Sequence, residues 1–159
     1  MNSLPQKPSG AFIGASWLAL VIGILAFVIG LSNSGMQMIE KGYYLNCLLF
    51  GLFAAVSLQK NVRDRLENVP VTALYFGLAW SALGISVVLT AVALANSSLD
   101  LASKGFYAMA YVLSLFAAVT VQKNVRDTAA GEVRPVITPF TREAAPERDA
   151  KRDPYSSES

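Results

Sequence analysis

A chain of 159 residues with 53% hydrophobic and 15% charged side chains is one domain by length and far too apolar for an average soluble protein. Its formal net charge of +2, with no basic cluster interleaved with aromatics, argues against a nucleic-acid partner. With no histidine and one cysteine, Cys47, it can form neither an intrachain disulfide nor a cysteine metal cage.

Residues 1–10 form a short leading segment with one base, Lys7, and charge is then absent from Pro8 to Ile39. The run FIGASWLALVIGILAFVIGL, Phe12–Leu31, exceeds the roughly 7–15 residues of a signal-peptide core and predicts an uncleaved first span. Charge is absent again over Gly42–Gln59, Asn68–Leu99 and Gly105–Gln122, so the four gaps hold 32, 18, 32 and 18 residues. About 20 apolar helical residues cross a hydrocarbon core, so each gap predicts one spanning helix. A soluble four-helix bundle needs a charged face on every helix, and these segments have none. The predicted fold class is an all-α membrane protein with four transmembrane helices.

The chain also repeats itself at a constant offset of 63. LFAAVSLQKNVRD, Leu52–Asp64, returns as LFAAVTVQKNVRD, Leu115–Asp127, with 11 of 13 positions identical. Trp17 aligns with Trp80, Gly14 with Gly77, Asn33 with Asn96, and KGYY (41–44) with KGFY (104–107). Two tandem two-helix hairpin repeats follow, 11–64 and 74–127, joined by a connector at 65–73 whose Pro70 suits a helix start. Each repeat has an even number of spans, so both insert the same way up. Parallel pseudo-twofold symmetry about the membrane normal is predicted, and inverted-repeat architecture is excluded.

Basic residues near the span ends set the orientation. Lys7, Lys60, Arg63, Arg65, Lys123, Arg126 and Arg134 share the side of both termini, and only Lys41 and Lys104 lie opposite. Both termini are predicted to be cytoplasmic. Residues 128–159 mix both charge signs with four prolines and no apolar periodicity, the pattern of a disordered tail.

The spans carry no ionisable carboxylate or base, the usual mark of a proton or ion pathway. Their polar atoms are those of Ser16, Asn46, Cys47, Ser57, Ser81, Ser86, Thr90, Ser114 and Thr120, mostly hydroxyls that bond back to their own helix or bridge neighbours. Gly51/Ala55, Ser114/Ala118, Gly23/Gly30 and Gly77/Gly84 are spaced for close helix packing, within the unit or between copies. At the turns, Lys41, Gly42 and Tyr44 recur as Lys104, Gly105 and Tyr107, a candidate outer motif that reads as a headgroup anchor. At the other end, Gln59, Lys60, Asn61, Arg63 and Asp64 recur as Gln122, Lys123, Asn124, Arg126 and Asp127. Lys60 can pair with Asp64 and Lys123 with Asp127 at i,i+4 spacing. Headgroup attraction explains the bases of this candidate cytoplasmic motif but not the recurrence of Gln59, Asn61 and Asp64. Identity between the repeats is also uneven: six of 22 positions over 11–32, but 16 of 32 over 33–64.

These motifs, EKGYY…LFAAVSLQKNVRD and SKGFY…LFAAVTVQKNVRD, resemble the YiaA/YiaB-type inner membrane proteins of bacteria, built from the YiaAB two-helix domain. The resemblance covers about residues 11–127 and is closest to the two-repeat YiaA-like members. It implies a bacterial inner-membrane location and brings no catalytic residue, ligand or cofactor. No catalytic, cofactor or metal set is visible in the residues either. The sequence therefore predicts a non-enzymatic protein with a structural or interaction role. Its partners would be the lipid bilayer, a second copy of itself, or an unidentified cytoplasmic or membrane protein. The rival is a small-solute or ion transporter or channel. It would need Ser57, Thr120 and Ser114 on an axis between the hairpins, with Lys41 and Lys104 as an outer ring.

Overall fold

The computed structural model describes residues 8–132, with side chains through residue 129. Most of the predicted leading segment, with Lys7, and the tail beyond Glu132, with Arg134, lie outside them. Four helices follow in order: α1 (Gly10–Asn33), α2 (Met38–Leu66), α3 (Ala73–Asn96) and α4 (Leu101–Glu132). All four are long and apolar enough to cross a membrane. At about 1.5 Å per residue, 24-residue α1 and α3 match the bilayer core, whereas 29-residue α2 and 32-residue α4 extend past it. The QKNVRD motifs occupy that excess length. The predicted boundary at 127/128 is not a helix end, because α4 continues to Glu132.

The helix ends repeat as the sequence does. Ser9 and Thr72 are equivalent and cap α1 and α3, their hydroxyls accepting from the N–H of Phe12 and Tyr75 at 3.3 Å. The end of α2 is closed by Asn68 in the left-handed region, φ 58°. Asn68 N–H donates to Arg65 O and Val69 N–H to Asp64 O, the paired bonds of a Schellman motif. Arg65 then lies over the Phe76 ring, 3.9 Å from its centroid, and ties the connector to α3.

The helices pack across the repeats rather than within them. α1 lies along α4 and α2 along α3, while α2 and α4 meet at the centre; α1 touches α2 little, as α3 does α4. The two successive helices of a repeat are thus connected by a short turn but are not packed as a closed hairpin. The arrangement is the same under exchange of the repeats, as a parallel pseudo-twofold requires. Its axis passes near the equivalent pair Tyr44 and Tyr107, which stack with centroids 6.1 Å apart and planes at 25°. Phe27, Leu48 and Tyr111 join them in the core. Trp17, Ile22, Leu25, Trp80, Ile85 and Val88 face outward, so the exterior is as apolar as the interior and suits lipid.

Small residues set the close contacts. A Cβ on Gly23 would stand 2.6 Å from Ser114 Oγ and 3.1 Å from its backbone N. A Cβ on Gly51 would stand 2.5 Å from the Tyr111 hydroxyl and 2.9 Å from Ser86 Oγ. Gly77 and Gly84 have open space instead, so that pair makes no close contact within the described residues.

Candidate functional site

Within each QKNVRD motif the residues divide by direction. Asn61, Asp64 and Asn124 are buried, Lys60 and Lys123 are exposed, and Gln59, Arg63, Gln122, Arg126 and Asp127 lie between. The recurring asparagines are helix ties. Asn124 Nδ2 donates to Ser16 Oγ at 2.9 Å, and that hydroxyl donates to Phe12 O at 2.8 Å. Asn61 Nδ2 points directly at Tyr75 O, the carbonyl equivalent to Phe12 O, at 3.5 Å, and its Oδ1 has no partner among the described residues. Ala79 stands where the second repeat's partner helix has Ser16, so the bridging hydroxyl is missing.

The charges are arranged differently in the two copies. Asp64 is held by Arg63 at 3.1 Å and by Lys60 at 3.5 Å, as its spacing predicts. Asp127 is held by Arg126 at 2.6 Å, and the expected Lys123–Asp127 pair does not form. The nearer guanidinium has taken the carboxylate. Among the described residues Lys123 has no ion pair. Because α2 and α4 meet along the axis, Gln59 and Arg63 of one motif and Lys123 and Arg126 of the other line one cavity of about 400 Å³. The fold brings the two copies together on one side of the bundle.

At the opposite face the KG-aromatic-Tyr motifs are mainly structural. Lys41 Nζ donates to Ser32 O at 3.0 Å and Lys104 Nζ to the equivalent Ala95 O at 3.1 Å. Each cation thus sits on the carbonyl end of the preceding helix, where the helix dipole favours it. The expectation of interfacial rings fails for Tyr44 and Tyr107, which turn into the core; Tyr43 and Phe106 face outward. Gly42 and Gly105 are exposed, with no heavy atom within 4 Å of a built Cβ.

The geometry needed for a central pathway is not met. Ser114 is fully buried, packs on Gly23 and donates to Ala110 O at 2.8 Å, and Thr120 closes on Phe116 O. The axis is filled by the Tyr44–Tyr107 stack, and the two lysines are committed to backbone carbonyls. Asn46, the most polar span residue, faces out of the bundle.

Sequence reasoning missed Tyr111. Its hydroxyl lies 2.7 Å from Ser86 Oγ, which donates to Cys47 O at 3.0 Å, making a buried polar contact between α2, α3 and α4. A phenol among hydroxyls was easily passed over, because its repeat partner is Leu48. It also missed a second, apolar cavity of about 410 Å³ between α3 and α4, lined by Leu83, Thr90, Val112 and Val119 among others. The signal was the exchange of Phe27 for Thr90 at equivalent positions.

A family model described as the yiaA/B two helix domain matches this chain twice, at residues 12–64 and 75–127. The inner membrane protein YiaA of Escherichia coli K12 is 49% identical over 143 residues, covering 90% of this chain and 97% of that protein. The uncharacterized membrane protein YubF of Bacillus subtilis 168 is 28% identical over 74 residues, 46% of this chain and 85% of that protein. No solved structure matches.

Proposed function

This chain belongs to the yiaA/B two-helix domain family, and we propose that it is a non-enzymatic interaction protein of the bacterial inner membrane. Both termini lie in the cytoplasm, and the paired QKNVRD motifs form one composite surface there for an anionic group. The observation that carries this reading is the cavity shared by Gln59 and Arg63 from α2 with Lys123 and Arg126 from α4. Among the described residues, five bases (Lys60, Arg63, Arg65, Lys123, Arg126) and four acids (Asp64, Glu67, Asp127, Glu132) lie at this end of the bundle. A basic excess is what the positive-inside rule places in the cytoplasm.

Self-association is part of the proposal. Gly14/Gly77 and Gly42/Gly105 are glycine in both repeats, yet none packs on another helix among the described residues. The glycines that do pack, Gly23, Gly30 and Gly51, are replaced in the second repeat by Ser86, Ala93 and Ser114. Packing within one copy therefore does not account for the shared glycines, whereas a backbone-close neighbour would.

Photo-crosslinking in native membranes from Val62, an exposed side chain lining the cavity, tests the composite surface. Arg63→Gln and Lys123→Gln are each expected to remove the adducts as completely as the double substitution does. Adducts that persist until both are changed would mean two separate anchors. A wild-type chain giving neither a dimer nor any adduct would sink the reading altogether.

A further inference from the structure

The two cavities form one groove. The charged cavity at the motif end and the apolar cavity between α3 and α4 share Ala55, Leu83 and Val119 in their linings. Along it the chemistry changes in one direction. The inner part, about 410 Å³, is lined by aliphatic and aromatic side chains. Its two hydroxyls are already engaged: Thr90 Oγ1 donates to Ser86 O at 2.9 Å, and Tyr111 OH is bonded to Ser86 Oγ. The outer part opens among Gln59, Arg63, Lys123 and Arg126. There Arg63 Nε is buried without a hydrogen-bond acceptor, with Glu67 Oε2 3.6 Å away, and Lys123 has no ion pair among the described residues.

We propose that this groove seats one anionic glycerophospholipid of the surrounding bilayer. An acyl chain lies between α3 and α4, and the headgroup phosphate lies against Arg63, Lys123 and Arg126. An occupant must be apolar where no free donor or acceptor remains, and anionic where cations converge at headgroup depth. A phospholipid has both properties in that order. A docking helix, about 10–12 Å across, would enter such a crevice only with a few side chains and would bring no phosphate to Lys123, the one lining cation without an ion pair among the described residues. Basic pockets between transmembrane helices are a recognised setting for anionic headgroups.

The lining of the groove differs between the repeats. At the position of Thr90 the first repeat has Phe27, whose ring is fully buried against Tyr107 at a centroid distance of 5.5 Å. Ala91 and Ala108 of the lining likewise stand where the first repeat has Val28 and Leu45. The smaller side chains favour the crevice between α3 and α4, and one lipid per chain is the expected count.

The inference rests on the composite-surface reading, and the test separates the two. The full chain is delipidated in detergent, titrated with phosphatidylglycerol or phosphatidylcholine, and examined by native mass spectrometry. The expected wild-type result is one retained phosphatidylglycerol. Lys123→Gln and Arg126→Gln should each weaken its retention about fivefold, with phosphatidylcholine unchanged. Thr90→Phe places in the groove the residue its equivalent already carries, and should reduce phosphatidylglycerol to the phosphatidylcholine level. Val87→Phe, at an exposed lining position, serves the same purpose if Thr90→Phe fails to fold.

Loss with the charge variants but not with either groove-filling variant would overturn the seated chain and leave the composite surface standing. Loss with the filling variants alone would mean a neutral occupant and overturn the proposal. So would a dimer whose crosslinks through the groove vanish with Thr90→Phe, since a second copy would then be the occupant.

Discussion

In the α1/α4 pair Gly23 stands against Ser114, and in the α2/α3 pair Gly51 stands against Ser86. These are equivalent positions with their residue types divided by repeat: the first repeat supplies both glycines and the second both serines. Packing across the repeats gives each pair one of each. Packing within the repeats would have set glycine against glycine and serine against serine. Divergence between the halves is thus complementary at this contact, and the two interfaces stay matched in volume. They differ in what the serine does. Ser114 bonds back to its own helix, whereas Ser86 bonds to Cys47 O and Tyr111 and links three helices.

Filling the glycines has the largest expected effect on stability. Gly23→Ala drives a Cβ into the Ser114 backbone as well as its hydroxyl, and an overpacked core costs about 1–3 kcal/mol. Gly51→Ala meets only the ends of two side chains and should cost less. Tyr111→Phe should recover part of that cost, because it removes the contact at 2.5 Å. Gly84→Ala meets open space at a position where the first repeat has Val21, and should gain up to about 1 kcal/mol from helix propensity. Unfolding in mixed micelles with increasing dodecyl sulfate measures all four. Equal losses at Gly23 and Gly84 would refute the cross-repeat packing.

The asparagine ties sharpen the same comparison with a smaller effect. Hydrogen bonds between membrane helices are worth about 0.6 kcal/mol on average and about 1.7 at most. Asn124, bonded to Ser16 at 2.9 Å, should lie toward the upper end, and Asn61, at 3.5 Å with Oδ1 unpartnered, toward the lower. Asn124→Leu is therefore expected to destabilise more than Asn61→Leu in the same assay. Ala79→Ser supplies the missing bridging hydroxyl and should stabilise the α2/α3 pair by a few tenths of a kcal/mol. A loss on Ala79→Ser would show that the two ties are not equivalent.

Four spans and two repeats were legible because charge gaps and the offset of 63 are carried by many residues at once. The partner of each helix was not, since periodicity shows which face is apolar but not which helix covers it. In this chain every face is apolar, so even that cue was weak. Asn61 and Asn124 were visible as recurring residues without a reason, and the reason lies on helices far away in sequence. Tyr44 and Tyr107 were misplaced at the interface because a tyrosine near a span end suits either the headgroups or a core close to them. The groove is lined by small residues where the first repeat has larger ones, Thr90 for Phe27 above all, an exchange that is conspicuous only once that position is known to face a crevice.

The two turns opposite the motifs make the smallest contrast. In the first, Glu40 accepts from Gln37 N–H at 2.9 Å across the start of α2. In the second, Asp100 accepts from the N–H and hydroxyl of Ser103 at the start of α4. These bonds to Ser103 hold the Asp100 carboxyl below its ordinary value of 3.8. The unfolded chain, whose Asp100 takes up a proton more readily, therefore gains on the folded one as pH falls. The contribution is complete above pH 3.8 and is lost as pH drops through the lowered value. Asp100 is fully exposed, so solvent screening keeps the effect small. Asp100→Asn keeps an acceptor for Ser103 but removes the titration. The melting-temperature gap between wild type and Asp100→Asn should be largest near neutral pH and shrink toward pH values of about 3. Parallel curves across that range would mean that the cap works through shape alone and not through the charge on Asp100.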